Sequence, residues 1–256
     1  SIRRQRQMCI RDSARVVQNV ENGNADVGIL PLENSTEGIV TQVVDLLYYS
    51  EGTCIIGEVI LPIRHGLFNK SGKLEDIKYV YSNFQPLEQC RAKLSELIEE
   101  GVLTECGSST QACEIARDKS AEYGAVASVE AGRMFGLKLV AEDIQDNGKN
   151  ATRFIALANK CSGKNTGRDK TSIAFTFRED KPGSLYQVLR EFANSSINLG
   201  RIESRPMKEE LGKYVFYIDF EGHMEDPGIP ELLDRVKVHV DTIKILGSYR
   251  MAEYCY

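Results

Sequence analysis

The sequence has few of the residues that build metal centres and disulfide frameworks. It contains three histidines, and none lies at the spacing of a ligand pair from another. Its seven cysteines are scattered, odd in number and without a Cys-x-x-Cys pair, which is typical of reduced thiols in a cytoplasmic protein. We therefore expect no metal site and a cytoplasmic location.

Long apolar runs and an excess of positive charge are also missing. No apolar stretch approaches the roughly 20 residues of a membrane helix. The net charge of −5 gives no electrostatic reason to bind nucleic acid or an anionic membrane, so we expect neither partner. At 256 residues, with 42% hydrophobic and 27% charged residues, the chain has the composition of a globular protein of one or two domains.

The first twelve residues differ from the rest of the sequence. They carry four arginines, show little apolar periodicity and have no initiator methionine. They also lack the apolar segment of a signal peptide. We interpret residues 1–12 as a non-matching start, truncated or foreign, and the alternative is a basic arm for an anionic partner.

A polar stretch at residues 31–38 follows a short apolar run and precedes a helical pattern. Proline cannot donate to a sheet ladder, so Pro31 is expected to end a strand. Glu33, Asn34 and Ser35 then place a carboxylate, an amide and a hydroxyl at a strand-to-helix junction. The alternative is that Ser35 or Thr36 caps the helix.

From this stretch to residue 158, strands alternate with helices, which favours parallel sheets with helices on both faces. Polar clusters at 33–35, 82–85 and 108–110 all follow predicted strands, where ligands bind in such sheets. A helix predicted at 87–100 places Gln89 in its first turn. In the strand predicted from residue 152, alternation puts Thr152 and Phe154 on one face and Arg153 on the other. We expect that arginine to form a structural ion pair.

The C-terminal part has a different composition. Residues 159–170 are polar and basic and indicate a linker. Residues 171–256 predict the element order βαββαβ, which is ferredoxin-like. Gly183 precedes a predicted helix, where a carboxylate is favoured. For Glu203 and Arg205 the alternative is an exposed ion pair of little energetic weight.

Taken together, the motifs of this sequence resemble those of prephenate dehydratases in their order and spacing. The residues that carry the resemblance are 31–38, Ser82 with Gln85 and Gln89, 108–110, 143–147 and 152–154. It implies a two-lobed α/β catalytic domain at 13–158, incomplete at its N-terminus. This domain would be similar to the type II periplasmic-binding fold, with the active site between the lobes. Residues 181–185 and 203–206 resemble the phenylalanine-binding motifs of an ACT regulatory domain.

The resemblance implies an activity. Prephenate would lose its ring carboxylate and 4-hydroxyl to give phenylpyruvate in phenylalanine biosynthesis, and aromatisation would supply the driving force without a cofactor. The implied catalytic residues are Thr152, Glu33 and Asn34, and those of substrate binding are Ser35, Ser82, Gln89, Thr110 and Phe154. Phenylalanine is the implied allosteric effector, at Gly183, Ser184, Leu185, Glu203, Ser204, Arg205 and Pro206. A homodimer or homotetramer is expected.

The sequence departs from the family in three places. Asn83 and Phe84 replace a His-Pro pair, and Ser184 replaces an alanine. Nothing in residues 1–12 matches the family's first strand and glycine-rich loop, so the first lobe would lack a central strand if Ser1 is the true start. Arogenate dehydratase and a noncatalytic amino-acid sensor stay open as alternatives, as does a preceding chorismate mutase domain.

Overall fold

The computed structural model describes residues 10–159, 164–179, 181–208 and 210–253. The first nine residues of the segment set aside above, and part of the expected linker, lie outside these ranges. The chain folds as two compact units. The first contains the chain up to Leu61 and again from Thr152, and the second is the uninterrupted segment Pro62–Ala151. The two ends of the chain thus build one unit together.

The helices and strands follow in chain order. The first unit begins with α1 (Ile10–Glu21), β1 (Gly28–Asn34), β2 (Gly38–Ile39), α2 (Thr41–Tyr49) and β3 (Cys54–Pro62). The second contains β4 (Gly66–Asn69), β5 (Tyr79–Ser82), α3 (Phe84–Gln89), α4 (Arg91–Leu97), β6 (Val102–Glu105), α5 (Ser109–Asp118), β7 (Tyr123–Ala127), α6 (Val129–Met134) and β8 (Lys138–Ala141). The first unit resumes with β9 (Ala151–Ala158), β10 (Asp169–Thr176), α7 (Ser184–Asn194), β11 (Leu199–Pro206), β12 (Tyr214–Glu221), α8 (Ile229–Lys237) and β13 (Thr242–Arg250).

The first sheet has the order β2-β1-β9-β3, and β1 is antiparallel to both of its neighbours. The expectation that Pro31 ends the strand is wrong, because β1 continues to Asn34. An irregularity in register between Pro31 and Glu33 accompanies the proline, as is usual for proline within a sheet. The polar stretch is therefore a strand end and a turn into β2. Val40 occupies the N-cap position of α2, so neither Ser35 nor Thr36 caps that helix.

The second unit is a mixed sheet of order β6-β5-β7-β4-β8. Strand β5 is parallel to β6 and β7, whereas β4 is antiparallel to β7 and β8. The prediction of purely parallel sheets is thus wrong. The antiparallel strand β4 has only four residues, all buried, which is too short for a periodic pattern.

The helix predicted at 87–100 is two helices. The backbone leaves helical geometry at Cys90, which lies between α3 and α4. The carboxylate of Asp146 accepts hydrogen bonds from the backbone amides of Ala92 (3.0 Å) and Lys93 (2.9 Å). A side chain distant in sequence therefore stabilises a new helix start.

The C-terminal sheet has the order β11-β12-β10-β13 and is antiparallel at every pair, which confirms the βαββαβ arrangement. Helices α7 and α8 cover one face through a core that includes Phe175, Phe192 and Leu232. The opposite face shares a core with the first sheet, and its members include Leu30, Ile55, Ile155, Tyr217 and Leu246.

Two further contacts attach this sheet to the N-terminal elements of the first unit. Gly247 of β13 lies so close to Ile55 of β3 that an added Cβ would overlap the Ile55 backbone. The Lys244 ammonium donates to the carbonyl oxygens of Leu47 (2.9 Å) and Tyr48 (2.8 Å), at the C-terminal end of α2 where a cation is favoured. The C-terminal sheet is therefore an integral part of the first unit.

Cysteine chemistry differs in part from the expectation. Cys54 is disulfide-bonded, which corrects the expectation of reduced thiols throughout. Cys90, Cys106 and Cys113 are free. Burial raises the pKa of the Cys90 thiol to about 12 and that of Cys113 to about 11, so both stay protonated at neutral pH. In the part of the chain that the structure describes, no helix is long and apolar enough to cross a membrane.

Candidate functional site

Asn34 and Thr152 meet across the first sheet. They are register partners on the antiparallel strands β1 and β9, although 118 residues separate them in sequence. The Asn34 Nδ2 donates a hydrogen bond to Thr152 Oγ1 at 2.9 Å. Both side chains project from the same face of the sheet, because paired residues do so in antiparallel strands.

The turn after β1 fixes the orientation of the Asn34 amide. Its Oδ1 accepts hydrogen bonds from the backbone amides of Thr36 (2.9 Å) and Glu37 (3.1 Å). A backbone N–H can only donate, so the oxygen of Asn34 must face the turn and its NH₂ group must face Thr152. The Thr152 oxygen is therefore an acceptor in this bond, and its own proton is directed elsewhere. Ser35 lies in the same turn and is exposed.

Glu33 lies one position away and pairs with Arg153 instead. The two are register partners, and Glu33 Oε2 is 3.7 Å from Arg153 Nη1. Alternation in the strand places them on the face opposite to Asn34 and Thr152. Arg153 also contacts Glu58 Oε2 at 2.6 Å and Asp219 Oδ2 at 2.8 Å, which confirms the expected structural ion pair. Phe154 is half-buried, and its register partner is Pro31.

The second unit holds another group of candidate residues. Ser82, at the end of β5, is buried and donates to the Val126 carbonyl oxygen at 2.7 Å. Thr110 lies in the first turn of α5, where Ser108 is the N-cap and accepts from the Gln111 amide. A capping role thus accounts for Ser108. The Ser109 hydroxyl lies 3.4 Å from that of Ser82.

His65 is a residue of this second group that the sequence patterns did not indicate. Its Nε2 lies 3.0 Å from Gln89 Oε1, and its backbone amide donates to Gln145 Oε1 at 3.0 Å. Burial lowers the pKa of His65, and the hydrogen bond to Gln89 opposes that effect only in part, which favours the neutral ring. Its Nδ1 is buried and has no hydrogen-bond partner among the described residues.

A third group lies in the C-terminal part of the first unit. Gly183 is the N-cap of α7 and has φ of +91°, a left-handed conformation that glycine adopts without strain. A Cβ at this position would meet no atom within 4 Å, so the space beside it is open. Ser184 Oγ accepts from the Lys181 amide at 3.2 Å, while Leu185 packs against the core beneath α7. The helix start therefore combines free space with oriented backbone amides.

The segment 203–206 forms the end of β11. Glu203 and Arg205 are half-buried on one face, while Ser204 and Pro206 are exposed. Arg205 Nε lies 3.4 Å from Asp45 Oδ1 of α2. Arg205 therefore forms its ion pair with a buried aspartate outside this strand, which differs from the alternative of an exposed pair with Glu203.

Two family models match the chain. One described as prephenate dehydratase matches residues 4–162, and one described as the ACT domain matches residues 172–237. The first match begins at residue 4, within the segment 1–12. Together the two models cover most of the described residues.

Three curated relatives are similar along most of the chain. The bifunctional chorismate mutase/prephenate dehydratase of Aquifex aeolicus is 40% identical over 95% of this chain and 65% of that protein. The prephenate dehydratase of Methanocaldococcus jannaschii is 40% identical over 91% of this chain and 84% of that protein. Arogenate dehydratase 2 of Petunia hybrida is 38% identical over 90% of this chain and 62% of that protein. The chain thus spans less than two thirds of the Aquifex and Petunia proteins.

Two solved structures are similar in fold. A prephenate dehydratase from Arthrobacter aurescens in complex with L-Phe has a TM-score of 0.82 and 33% identity, over 92% of this chain and 78% of that one. A protein described as GqqA, a novel type of quorum quenching acylase, has a TM-score of 0.83 and 27% identity, over 93% of this chain and 86% of that one. These likenesses and the ACT match confirm the expected fold class, an α/β periplasmic-binding-like portion followed by a ferredoxin-like ACT domain.

Proposed function

Because the chain belongs to the prephenate dehydratase family, we propose that it converts prephenate to phenylpyruvate and that phenylalanine inhibits it. The observation that carries the proposal is the Thr152 hydroxyl, whose oxygen accepts from Asn34 and whose proton is left to act as a donor. We further propose catalytic and regulatory boundaries at 13–158 and 171–256, with a linker at 159–170.

The reaction needs a group that assists a departing hydroxide. The bond between the ring and its carboxylate breaks, and the electron pair moves into the ring as carbon dioxide leaves. The C4–O bond then breaks, its electron pair leaves with the hydroxyl group as hydroxide, and the ring becomes aromatic. A donor placed at that oxygen stabilises the developing negative charge, and such assistance typically contributes about 10²–10⁴-fold.

Thr152 is the donor in this proposal. Asn34 holds its oxygen from one side, so the hydroxyl proton points away from the amide and toward the substrate's 4-hydroxyl. Glu33 acts on the opposite face, where it contacts Arg153 and orients the strand. Ser35 and Phe154 contribute to substrate binding on either side of this pair.

The substrate's two carboxylates require hydrogen-bond donors. Thr110, in the first turn of α5, offers a hydroxyl near a helix N-terminus, where negative charge is favoured. Gln89 offers a side-chain amide, whose oxygen lies 3.0 Å from His65 Nε2. Ser82 contributes to substrate binding from the end of β5, where its hydroxyl also donates to the Val126 carbonyl oxygen.

Phenylalanine would bind at the start of α7 and the end of β11. Open space at Gly183 and the amides of the first turn suit an amino-acid carboxylate. If the inhibited state binds phenylalanine more tightly, the effector shifts the population toward that state. We propose residues 183–185 and 203–206 as this site, in a homodimer or homotetramer located in the cytoplasm.

The test is an absorbance assay for phenylpyruvate with purified protein and prephenate, with and without phenylalanine. Thr152→Ala should fold and lose most of its turnover, whereas Thr152→Ser, which retains the hydroxyl, should keep much of it. Wild-type turnover by a folded Thr152→Ala variant would remove Thr152 from the mechanism.

Arogenate dehydratase is the second candidate function, and the Petunia relative of that name supports it. Arogenate differs from prephenate only in carrying an amine where prephenate has a ketone. The same assay with each substrate separately, detecting phenylalanine or phenylpyruvate, separates the two. A kcat/KM for arogenate above that for prephenate would favour this alternative.

A further inference from the structure

A buried array of charges connects the strand of Thr152 to the C-terminal sheet. The Arg153 guanidinium donates to Glu58 of β3 (2.6 Å), Asp219 of β12 (2.8 Å) and the Tyr249 hydroxyl of β13 (3.0 Å). The side chains of Arg153, Glu58 and Asp219 are 11%, 0% and 2% exposed. A buried charge without its partner is strongly unfavourable, so these anions determine where the guanidinium lies.

Asp219 is the centre of this array. Its two oxygens accept from Arg201 Nη2 and Nε, both at 3.0 Å, and Oδ1 also accepts from the Ser172 hydroxyl at 2.6 Å. Burial raises the pKa of Asp219, but the charges of Arg201 and Arg153 outweigh burial and hold that pKa well below its usual range. Asp219 is therefore an anion that bridges two arginines.

The two arginines belong to the two strands of functional interest. Arg201 lies on β11, the strand that ends in residues 203–206. Arg153 follows Thr152 directly on β9. One carboxylate thus connects the proposed effector strand to the proposed catalytic strand, by two parallel hydrogen bonds from Arg201 and one from Arg153. Charge-assisted hydrogen bonds of this kind are strong and fix the geometry of the groups they join.

We propose that Asp219 is a positioning residue for the dehydratase reaction: by holding Arg153 it sets the placement of Thr152 against Asn34. Through Arg201 the same carboxylate makes that placement respond to phenylalanine. This inference rests on the proposed function. A misplacement of about 1 Å in a catalytic group can lower a rate by about 10²-fold, so a small shift of β9 is sufficient for inhibition.

The primary variant is Asp219→Asn, which keeps the shape of the side chain and removes its charge. We expect kcat to fall about ten- to hundredfold, with KM changed by less than about threefold, because substrate-binding groups are left in place. The phenylalanine concentration for half-inhibition should rise. Unchanged kcat in a folded Asp219→Asn protein would overturn the proposal.

The matched control is Glu191→Gln in the same C-terminal part. Glu191 is also buried and pairs with Arg235 at 3.0 Å, but it lies on α7 and makes no contact with the array. It should lose stability while its kcat and its inhibition by phenylalanine stay at wild-type values. An equal fall of kcat in both variants would mean a general structural effect and would contradict the proposal.

A double-mutant cycle tests whether Asp219 acts through Arg153. In an Arg153→Gln background, Asp219→Asn should lower kcat little further, because the route between the two is already broken. Independent, multiplying effects would overturn the proposal. If Asp219→Asn does not fold, Ser172→Ala carries the test, since it removes one hydrogen bond from Asp219 and no charge. It should lower kcat by about threefold or more, and wild-type kcat would overturn the proposal.

Hydrogen exchange separates this inference from the proposed function. The amides of β9 should exchange faster in Asp219→Asn than in Glu191→Gln, whatever the substrate. If the wild-type protein turns over neither prephenate nor arogenate, the proposed function fails. Hydrogen exchange in β9 then still tests whether Asp219 holds that strand in place. Equal exchange in the two variants would refute it.

Discussion

The variant Asn34→Asp reverses the direction of one hydrogen bond while keeping the shape of the site. An aspartate at position 34 still accepts from the backbone amides of Thr36 and Glu37 through one oxygen, so the turn is retained. Its other oxygen replaces the amide NH₂ group that now lies 2.9 Å from Thr152 Oγ1. A carboxylate cannot donate, so the threonine must donate to it.

The expected loss in rate follows from the proton donor that Thr152 no longer provides. Its proton is engaged by the carboxylate and is no longer offered to the departing hydroxyl. Loss of such assistance lowers a rate by about 10²–10⁴-fold, or about 2.7–5.4 kcal/mol in activation free energy. The new charge also lies near an anionic substrate, which should raise KM. We therefore expect Asn34→Asp to be as slow as Thr152→Val.

Steady-state turnover of prephenate and thermal unfolding measured together provide the assay. The unfolding midpoint of Asn34→Asp should stay close to that of the wild type, whereas Asn34→Ala loses the acceptor of two backbone amides and should be destabilised by about 1 kcal/mol. A wild-type kcat for folded Asn34→Asp would refute the reasoning, because it would mean that the direction of this bond does not matter.

Three other substitutions test separate parts of the structure. Gly183→Val should weaken inhibition by phenylalanine and lower the free energy of unfolding by about 1–2 kcal/mol, because valine is strained in the left-handed conformation. The control is Gly228→Val, at the matching N-cap of α8 with φ of +87°. It should carry the same strain and leave inhibition intact. Because burial lowers the pKa of His65, the stability of the wild type should fall as the pH drops below about 6.5, by up to about 1.4 kcal/mol per pH unit. In urea unfolding, the stability of His65→Gln should depend less on pH in this range than that of the wild type. The same pH dependence in both proteins would contradict this prediction. Gly247→Ala should cost about 3 kcal/mol or more by overlap with Ile55, and an unchanged melting temperature would contradict that packing.

The C-terminal fold was the part of the structure most accessible from sequence. Large apolar residues recur at every second position of β10 and β12, as Ile173 and Phe175 do, and its two helices each carry one apolar stripe. Local periodicity is enough to specify such elements. Two of the errors before residue 159 have identifiable causes. Asp146 starts α4 from more than 50 residues away, and β4 is too short for its burial to produce a pattern.

The candidate site was accessible only in part, for a related reason. The pairing of Asn34 with Thr152 joins positions 118 residues apart, and no spacing rule predicts it. Resemblance to a family indicated the two residues. The direction of their hydrogen bond could be assigned only from the structure, where the backbone amides of Thr36 and Glu37 fix the orientation of the Asn34 amide. The partners of Arg153 lie on four different strands, so the sequence indicated an ion pair but not the residues that form it.

The first unit is assembled from the two ends of the chain, and this has a consequence for its biosynthesis. On a ribosome, residues up to Leu61 emerge before the segment Pro62–Ala151, yet their sheet is completed by β9 and their core by Tyr217 and Leu246. The middle segment can therefore fold first, while the earliest residues wait with apolar surface uncovered. A chain truncated before β9 would leave that surface permanently exposed to chaperones and proteases.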